Sequence, residues 1–145
     1  MWIFYCCPTG GYESVVAAGI HIGMMPLDRV PLEDEISSLP YFGVRHHLLG
    51  RPIRFGVDTL GNEVFIIGIG REKGLVSKII PSFFEINELC PTKVKVVEIA
   101  AVKANVVMDL FFPNLQFDNR RMIKKIWKKY SNIVQIVKEV WDQIN

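Results

Sequence analysis

The helix that must follow the first strand constrains this chain more than any other stretch. From about Tyr12 to Met24 the sequence carries Val15, Val16, Ala17, Ala18, Ile20 and Ile22, which leave no continuous polar face. A helix apolar nearly all round is stable only where other elements cover it on several sides. Gly19 and Gly23 each cost up to about 1 kcal/mol against alanine inside a helix, so they mark close packing, and Pro26 ends the segment. Before the helix stand a short bulky apolar run, residues 2–6 (WIFYC), and the turn residues Pro8, Thr9, Gly10 and Gly11. The run reads as a buried strand. Strand, glycine turn and buried helix, in that order, open an α/β fold.

The rest of the chain continues the pattern. A proline-rich linker holds a short helix over Glu33–Ser38, bracketed by Pro31 and Pro40, and residues 43–52 read as loop. Two extended runs then flank Gly61-Asn62, a hairpin signal. The second run, Val64–Ile69, is continuously apolar and belongs at the centre of a sheet. A second glycine-rich stretch, Gly68, Gly70 and Gly74, leads into a helix over about Leu75–Leu89 that Pro81 should kink or break. Residues 93–102 read as a third strand region, and 104–111 as a short helix stopped by Pro113. From Ile123 to Ile144 apolar residues recur at helical spacing for about six turns, with Asp118 or Asn119 as N-cap. The expected architecture is a single three-layer α/β domain over residues 1–145. It has a mainly parallel sheet, one β-hairpin and a long amphipathic C-terminal helix.

Composition narrows the setting. Half of the 145 residues are hydrophobic, which supports a core and argues against disorder. Met1-Trp2-Ile3 lacks the basic start of a secretory signal. The longest apolar region, Val94–Phe112, is interrupted by Lys95, Glu98, Lys103 and Asp109, so it is not a membrane span. The three cysteines, with no export signal, read as reduced thiols in a cytoplasm.

The first glycine turn is the leading candidate site. A helix N-terminus offers free N–H groups and partial positive charge to an anion, Gly10 and Gly11 permit close backbone approach, and Thr9 and Ser14 add hydroxyls. No Lys-Ser/Thr pair follows the glycines, so the turn is not a nucleotide-binding P-loop. A cysteine-phosphatase loop would want arginine six residues after its cysteine, and Cys6 and Cys7 reach Tyr12 and Glu13 instead. The helix dipole favours an anion by about 0.3–1 kcal/mol, whereas a carboxylate about 4 Å away opposes it by about 4 kcal/mol at an effective dielectric near 20. Glu13 therefore either turns away and stabilises the helix or is bridged to the ligand by a cation. The plain alternative is a well-capped strand–helix turn.

The segments "YCCPTGGYESVVAAGIHIGMMPLDRVP", "EISSLPYF" and "FGVDTLGNEVFIIGIGRE" resemble a domain-of-unknown-function family of small bacterial proteins from endospore-forming and related Gram-positive bacteria. The resemblance covers most of the chain and is densest over residues 5–70. The family's first loop reads tyrosine, a variable residue, cysteine and a glycine pair, then Thr-His-Ser-Ser before a Val-Val-Ala-Ala helix. Tyr5, Cys7, Gly10, Ser14, Val15, Val16, Ala17, Ala18, Ile20, His21 and Gly23 keep that pattern. Thr9, Gly11, Tyr12 and Glu13 depart from it, standing where the family has glycine, threonine, histidine and serine. The resemblance implies a fold and a candidate site but no reaction. If the family's His-Ser pair is functional, it implies that this chain has lost or altered that function.

The remaining constellations each have a functional and a structural reading. His21 lies on the helix face of Ser14 and Ala17, where a buried histidine is either a hydrogen-bonded core residue or a proton-transfer group. A metal site from His21, Cys7 and the His46-His47 pair has no diagnostic spacing, so no metal is assigned, and no motif names a cofactor. Asp58 flanks the hairpin turn and either accepts from its backbone or acts as a catalytic carboxylate. Tyr12, His21 and Asp58 are thus the proton-transfer candidates. The second glycine stretch is spaced differently from a dinucleotide fingerprint, but Arg71 and Lys73 stand beside it. If the two glycine turns share one sheet edge, Thr9, Gly10, Gly11, Ser14, Gly70 and Arg71 form an anion site, with Arg71 offsetting Glu13. The ligand class is then a phosphorylated or nucleotide-like small molecule.

One charge asymmetry remains. Arg120, Arg121, Lys124, Lys125, Lys128 and Lys129 place +6 on residues 120–129, leaving −4 on the rest of a chain whose net charge is +2. The cluster is either the solvated face of an amphipathic helix or a patch for nucleic acid or an acidic surface. On the latter reading the chain is a non-catalytic interaction protein. Trp127 and Tyr130 fall on the apolar side, as core rather than as stacking platforms.

Overall fold

A computed structural model describes residues 1–44, 50–70, 74–89, 93–99 and 119–145. Among them the chain runs β1 (Trp2–Cys7), α1 (Glu13–His21), α2 (Glu33–Ser37), β2 (Ile53–Val57), β3 (Glu63–Gly68), α3 (Val76–Ile86), β4 (Val94–Glu98) and α4 (Asn119–Ile144). The strands form one open sheet in the order β2-β3-β1-β4. β1 is parallel to both β3 and β4, and β2 is antiparallel to β3. The apolar runs of β1 and β3 therefore hold the two central positions, where both neighbours satisfy the backbone and both faces are covered.

Strand alternation divides the core in two. Ile3, Tyr5, Val64 and Ile66 face α1 and α4, together with Ile126, Ile133 and Val137 of the long helix. Phe4, Cys6, Ile67 and Ile69 face the other way, toward Val76 and Ile80 of α3. The result is the expected mixed α/β architecture. Every residue of α1 is buried, as its all-round apolar sequence requires, because β1 and β3 lie on one side and α4 on the other. In α4, the buried residues Met122, Ile123, Ile126, Tyr130, Ile133, Val134, Val137 and Val140 follow the predicted stripe. Tyr130 is buried and donates to the Pro26 carbonyl at 2.5 Å, and Trp127 donates to that of Pro31 at 2.9 Å.

Several boundaries differ from expectation. α1 stops at His21, three residues early, because Gly23 turns the chain at φ 80° and Met24 N–H returns to the Gly19 carbonyl at 2.8 Å. Pro81 does not break α3. The carbonyl it leaves without a donor, that of Ser77, belongs to a helix in which Phe84 alone is buried, so water can reach it. The hairpin connection spans residues 58–62 rather than two residues, and β2 carries an irregularity between Arg54 and Gly56. The expected helix over 104–111 lies outside the described residues, as do Arg71, Lys73, His46, His47, Cys90 and Asp118. No helix among the described residues is long and apolar enough to cross a membrane.

Candidate functional site

The carboxyl ends of parallel strands are where open α/β sheets leave room for ligands, and both glycine turns arrive there. β1 delivers the first turn and β3 the second, and the parallel register extends past the strands. Ile69 N–H donates to the Cys7 carbonyl at 3.0 Å, and Gly70 N–H donates to that of Pro8 at 2.9 Å. Thr9, Gly10, Gly11, Ser14 and Gly70 are thus gathered at one edge. Among the described residues nothing lies within 4 Å of where a Cβ would sit on Gly70.

The first turn is closed around the Cys7 sulfur. Gly10, at φ 73°, aims its N–H at Sγ at 3.1 Å. The Cys7 thiol donates to Ser14 Oγ at 3.2 Å, and the Ser14 hydroxyl donates to the Gly10 carbonyl at 3.0 Å, completing a ring. Burial, reinforced by the charge of Glu13, pushes the Cys7 thiol up. Bonds from Ser14 and from the Tyr12 N–H favour the thiolate but do not outweigh them. Cys7 is therefore a neutral thiol occupying the place an anion would take. Gly11 gives its N–H to Thr9 Oγ1 at 3.2 Å. A Cβ on Gly11 would lie 2.3 Å from the Val44 carbonyl oxygen, so the backbone of Val44 roofs the loop. Thr9 is half-buried; its oxygen accepts from Gly11, and its hydroxyl stands 3.9 Å from Cys7 Sγ.

Three helices begin at this edge, and their N-termini are treated differently. α1 begins with buried Glu13. Just ahead of α3, the Gly74 N–H donates to both carboxylate oxygens of Glu98 at 2.9 and 3.0 Å. α4 instead begins with Arg120 and Arg121 and has no acid in its first turn. Tyr12, expected as a proton-transfer candidate, donates its hydroxyl to Asn119 Oδ1 at 3.0 Å and so ties the start of α4 to the start of α1.

His21 and Asp58 lie at the opposite end of α1, away from the glycine turns. Tyr5 Oη stands 2.7 Å from His21 Nδ1, and His21 Nε2 stands 3.1 Å from Asp58 Oδ2. Asp58 also accepts from Leu60 N–H at 2.9 Å, Asn62 N–H at 2.8 Å and Asn62 Nδ2 at 2.8 Å. Burial raises the Asp58 carboxyl, but the bonds from Asn62, His21 and Leu60 win and hold it below its usual range. Burial lowers His21 despite Asp58. Burial, then the Asp58 charge, raises Tyr5. The consistent protonation is an ionised Asp58 accepting from Nε2–H of a neutral His21, whose Nδ1 accepts from the Tyr5 hydroxyl. The His21 side chain is fully buried and that of Asp58 is 4% exposed, so the chain of bonds ties β1, α1 and the hairpin turn together beneath the surface.

Sequence reasoning anticipated the turn bonds to Asp58 but missed Tyr5 as the partner of His21 and Cys7 as the hub of the loop. A signal was present. Tyr5 and Cys7 share one face of β1, and Ser14 and His21, seven residues apart, share one face of α1. An antiparallel helix then pairs Cys7 with Ser14 and Tyr5 with His21. Among the described residues no three His, Cys, Asp or Glu side chains gather as a metal ion would require. No curated protein and no solved structure matches the chain. Residues 2–142 match the family described as "Protein of unknown function (DUF3189)", and the chain belongs to that family.

Proposed function

We propose that the chain binds a phosphorylated or nucleotide-like small molecule at the paired glycine turns. The observation that carries this reading is the pair of hydrogen bonds from Ile69 and Gly70 to the Cys7 and Pro8 carbonyls, which sets the two turns side by side at the carboxyl edge of β1 and β3. The N–H groups of Gly10 and Gly11 are already used within the loop. The ligand is therefore met by the Thr9 hydroxyl and the Gly70 turn, with positive potential from the basic start of α4. Arg71, expected to offset Glu13, remains part of the proposal.

A thermal-shift screen with inorganic phosphate, nucleotides, sugar phosphates and divalent cations tests the reading. A ligand at 100 times its dissociation constant adds about 2.7 kcal/mol, a rise of several degrees at this size. Thr9→Val keeps the shape and removes the hydroxyl, which also leaves the Gly11 N–H without its acceptor, so it should lower the unliganded midpoint by a few degrees and reduce the ligand-induced shift measured from that new baseline. Absence of any shift would overturn the reading.

A second reading is favoured by the position of the six cations of residues 120–129. Arg120 and Arg121 stand in the first turn, at the positive end of the helix dipole, where Arg120 meets Glu33 at 3.4 Å, and exposed Lys124 and Lys128 extend the positive surface along the following turns. On this reading α4 docks nucleic acid or an acidic surface. Reversing the charge of exposed Arg121, Lys124 and Lys128 would abolish that binding and its steep salt dependence, while retention by Thr9→Val would separate it from the first reading.

A further inference from the structure

The outer face of α3 is apolar where a surface helix should be polar. Leu75, Ile79, Phe83 and Ile86 recur at helical spacing along it, and Ile79, Phe83 and Ile86 are 53%, 58% and 82% exposed. Leu89 continues the stripe past the helix end. Beside it, Met1, Trp2, Phe84 and Lys93 line a shallow groove of about 130 Å³, and Trp2 packs edge-on against Phe84 at 5.2 Å. The five side chains of the stripe offer roughly 500 Å² of apolar surface, at the upper end of what a monomer ordinarily leaves open.

We propose that this stripe is the contact between two copies of the chain, packed with their α3 helices antiparallel. The charges beside the stripe select that occupant and that direction. Lys78 and Glu85 are exposed, lie two turns apart on one flank of the stripe, and have no ion-pair partner among the described residues. In an antiparallel pair related by a two-fold axis near Ser82, like flanks face each other. Lys78 of each copy then meets Glu85 of the other, twice over. A parallel pair sets that flank against the opposite one and loses both matches. The area agrees with a modest self-association. Two such stripes bury roughly 1,000 Å², at the low end of specific interfaces, which corresponds to a reversible rather than an obligate dimer.

Sedimentation velocity on the full chain under reducing conditions, at concentrations up to about 200 µM, tests the proposal. The wild type should shift from monomer to dimer across that range, and Phe83→Glu/Ile86→Glu should stay monomeric with an unchanged circular dichroism spectrum. Lys78→Glu and Glu85→Lys, each alone, should weaken the dimer roughly tenfold by turning two attractions into repulsions. An equal mixture of the two, or the double exchange Lys78→Glu/Glu85→Lys, should restore it. The proposal is overturned by a wild type that stays monomeric throughout, including one that instead floats with lipid vesicles. It is equally overturned by a dimer indifferent to Phe83→Glu/Ile86→Glu, or by a mixture no tighter than its components.

Discussion

The two faces of the sheet are finished in different ways. On one, α1 is buried completely and α4 closes over it, turning a charged side to water. On the other, α3 is the one helix among the described residues that packs over Phe4, Cys6, Ile67 and Ile69, with only Phe84 of its own residues buried and an apolar stripe outward. The first face also contains every buried polar network described, the Tyr5–His21–Asp58 chain and the Cys7–Gly10–Ser14 ring. Among the described residues the second holds one such contact, at its rim, where the Glu98 carboxylate accepts from the Gly74 N–H. A face closed within the chain can hold polar groups in fixed geometry, because each finds a partner and water is excluded. The face left half-open relies mainly on apolar contacts that tolerate an exchange of neighbours.

Mutations that remove groups from the closed face should cost most. Asp58→Ala leaves His21 and Asn62 without their acceptor, and chemical denaturation should register a loss of about 2–4 kcal/mol from the unsatisfied donors. A loss below about 1 kcal/mol would show the network to be incidental. A paired truncation sharpens the contrast. Ile126→Ala, under α4, should cost about 2–5 kcal/mol, and Ile80→Ala, in half-buried α3, about half as much. Equal losses would erase the distinction between the faces. Ser14→Ala opens the thiol ring and should cost about 1–3 kcal/mol, with faster alkylation of Cys7 as its readout.

The pH dependence follows from the same closed face. His21 and Asp58 have folded-state pKa values below their unfolded ones, so both bind protons more tightly in the unfolded chain. Their contribution is complete above about pH 6.5. It falls first as His21 gains a proton in the unfolded state and again as the pH drops through the carboxyl range. Tyr5, raised in the folded state, acts oppositely and loses its contribution above about pH 10. Thermal midpoints should therefore form a plateau between these limits, and Asp58→Asn should flatten its acid side. The smallest effect belongs to the open face: Phe83→Glu should change stability by no more than about 0.5 kcal/mol while removing self-association.

Much of this was legible in the chain. The all-round apolar sequence of residues 15–22 required cover on several sides, and the stripe from Ile123 to Ile144 supplied it. The continuous apolar run of β3 marked a central strand. The site was legible only in outline. Glycines at residues 10, 11 and 70 announced turns, but which N–H groups they would present depended on tertiary partners. The Cys7 sulfur takes the Gly10 N–H, Val44 roofs Gly11, and Asn119, more than a hundred residues away, accepts from Tyr12. The α3 stripe was unreadable for a related reason. Val76, Ile79, Ile80, Phe83 and Phe84 are all apolar, and only the packing tells which of them the sheet takes.

The most direct test of the account is an amide chemical-shift map of the dilute, monomeric protein titrated with inorganic phosphate and with a nucleotide. The account predicts saturable shifts concentrated at Thr9, Gly10, Gly11 and Gly70 and at the start of α4, with α3 unmoved. Shifts confined to Arg121, Lys124 and Lys128 and abolished by salt, or no saturable shifts at all, would contradict a ligand site at the paired glycine turns.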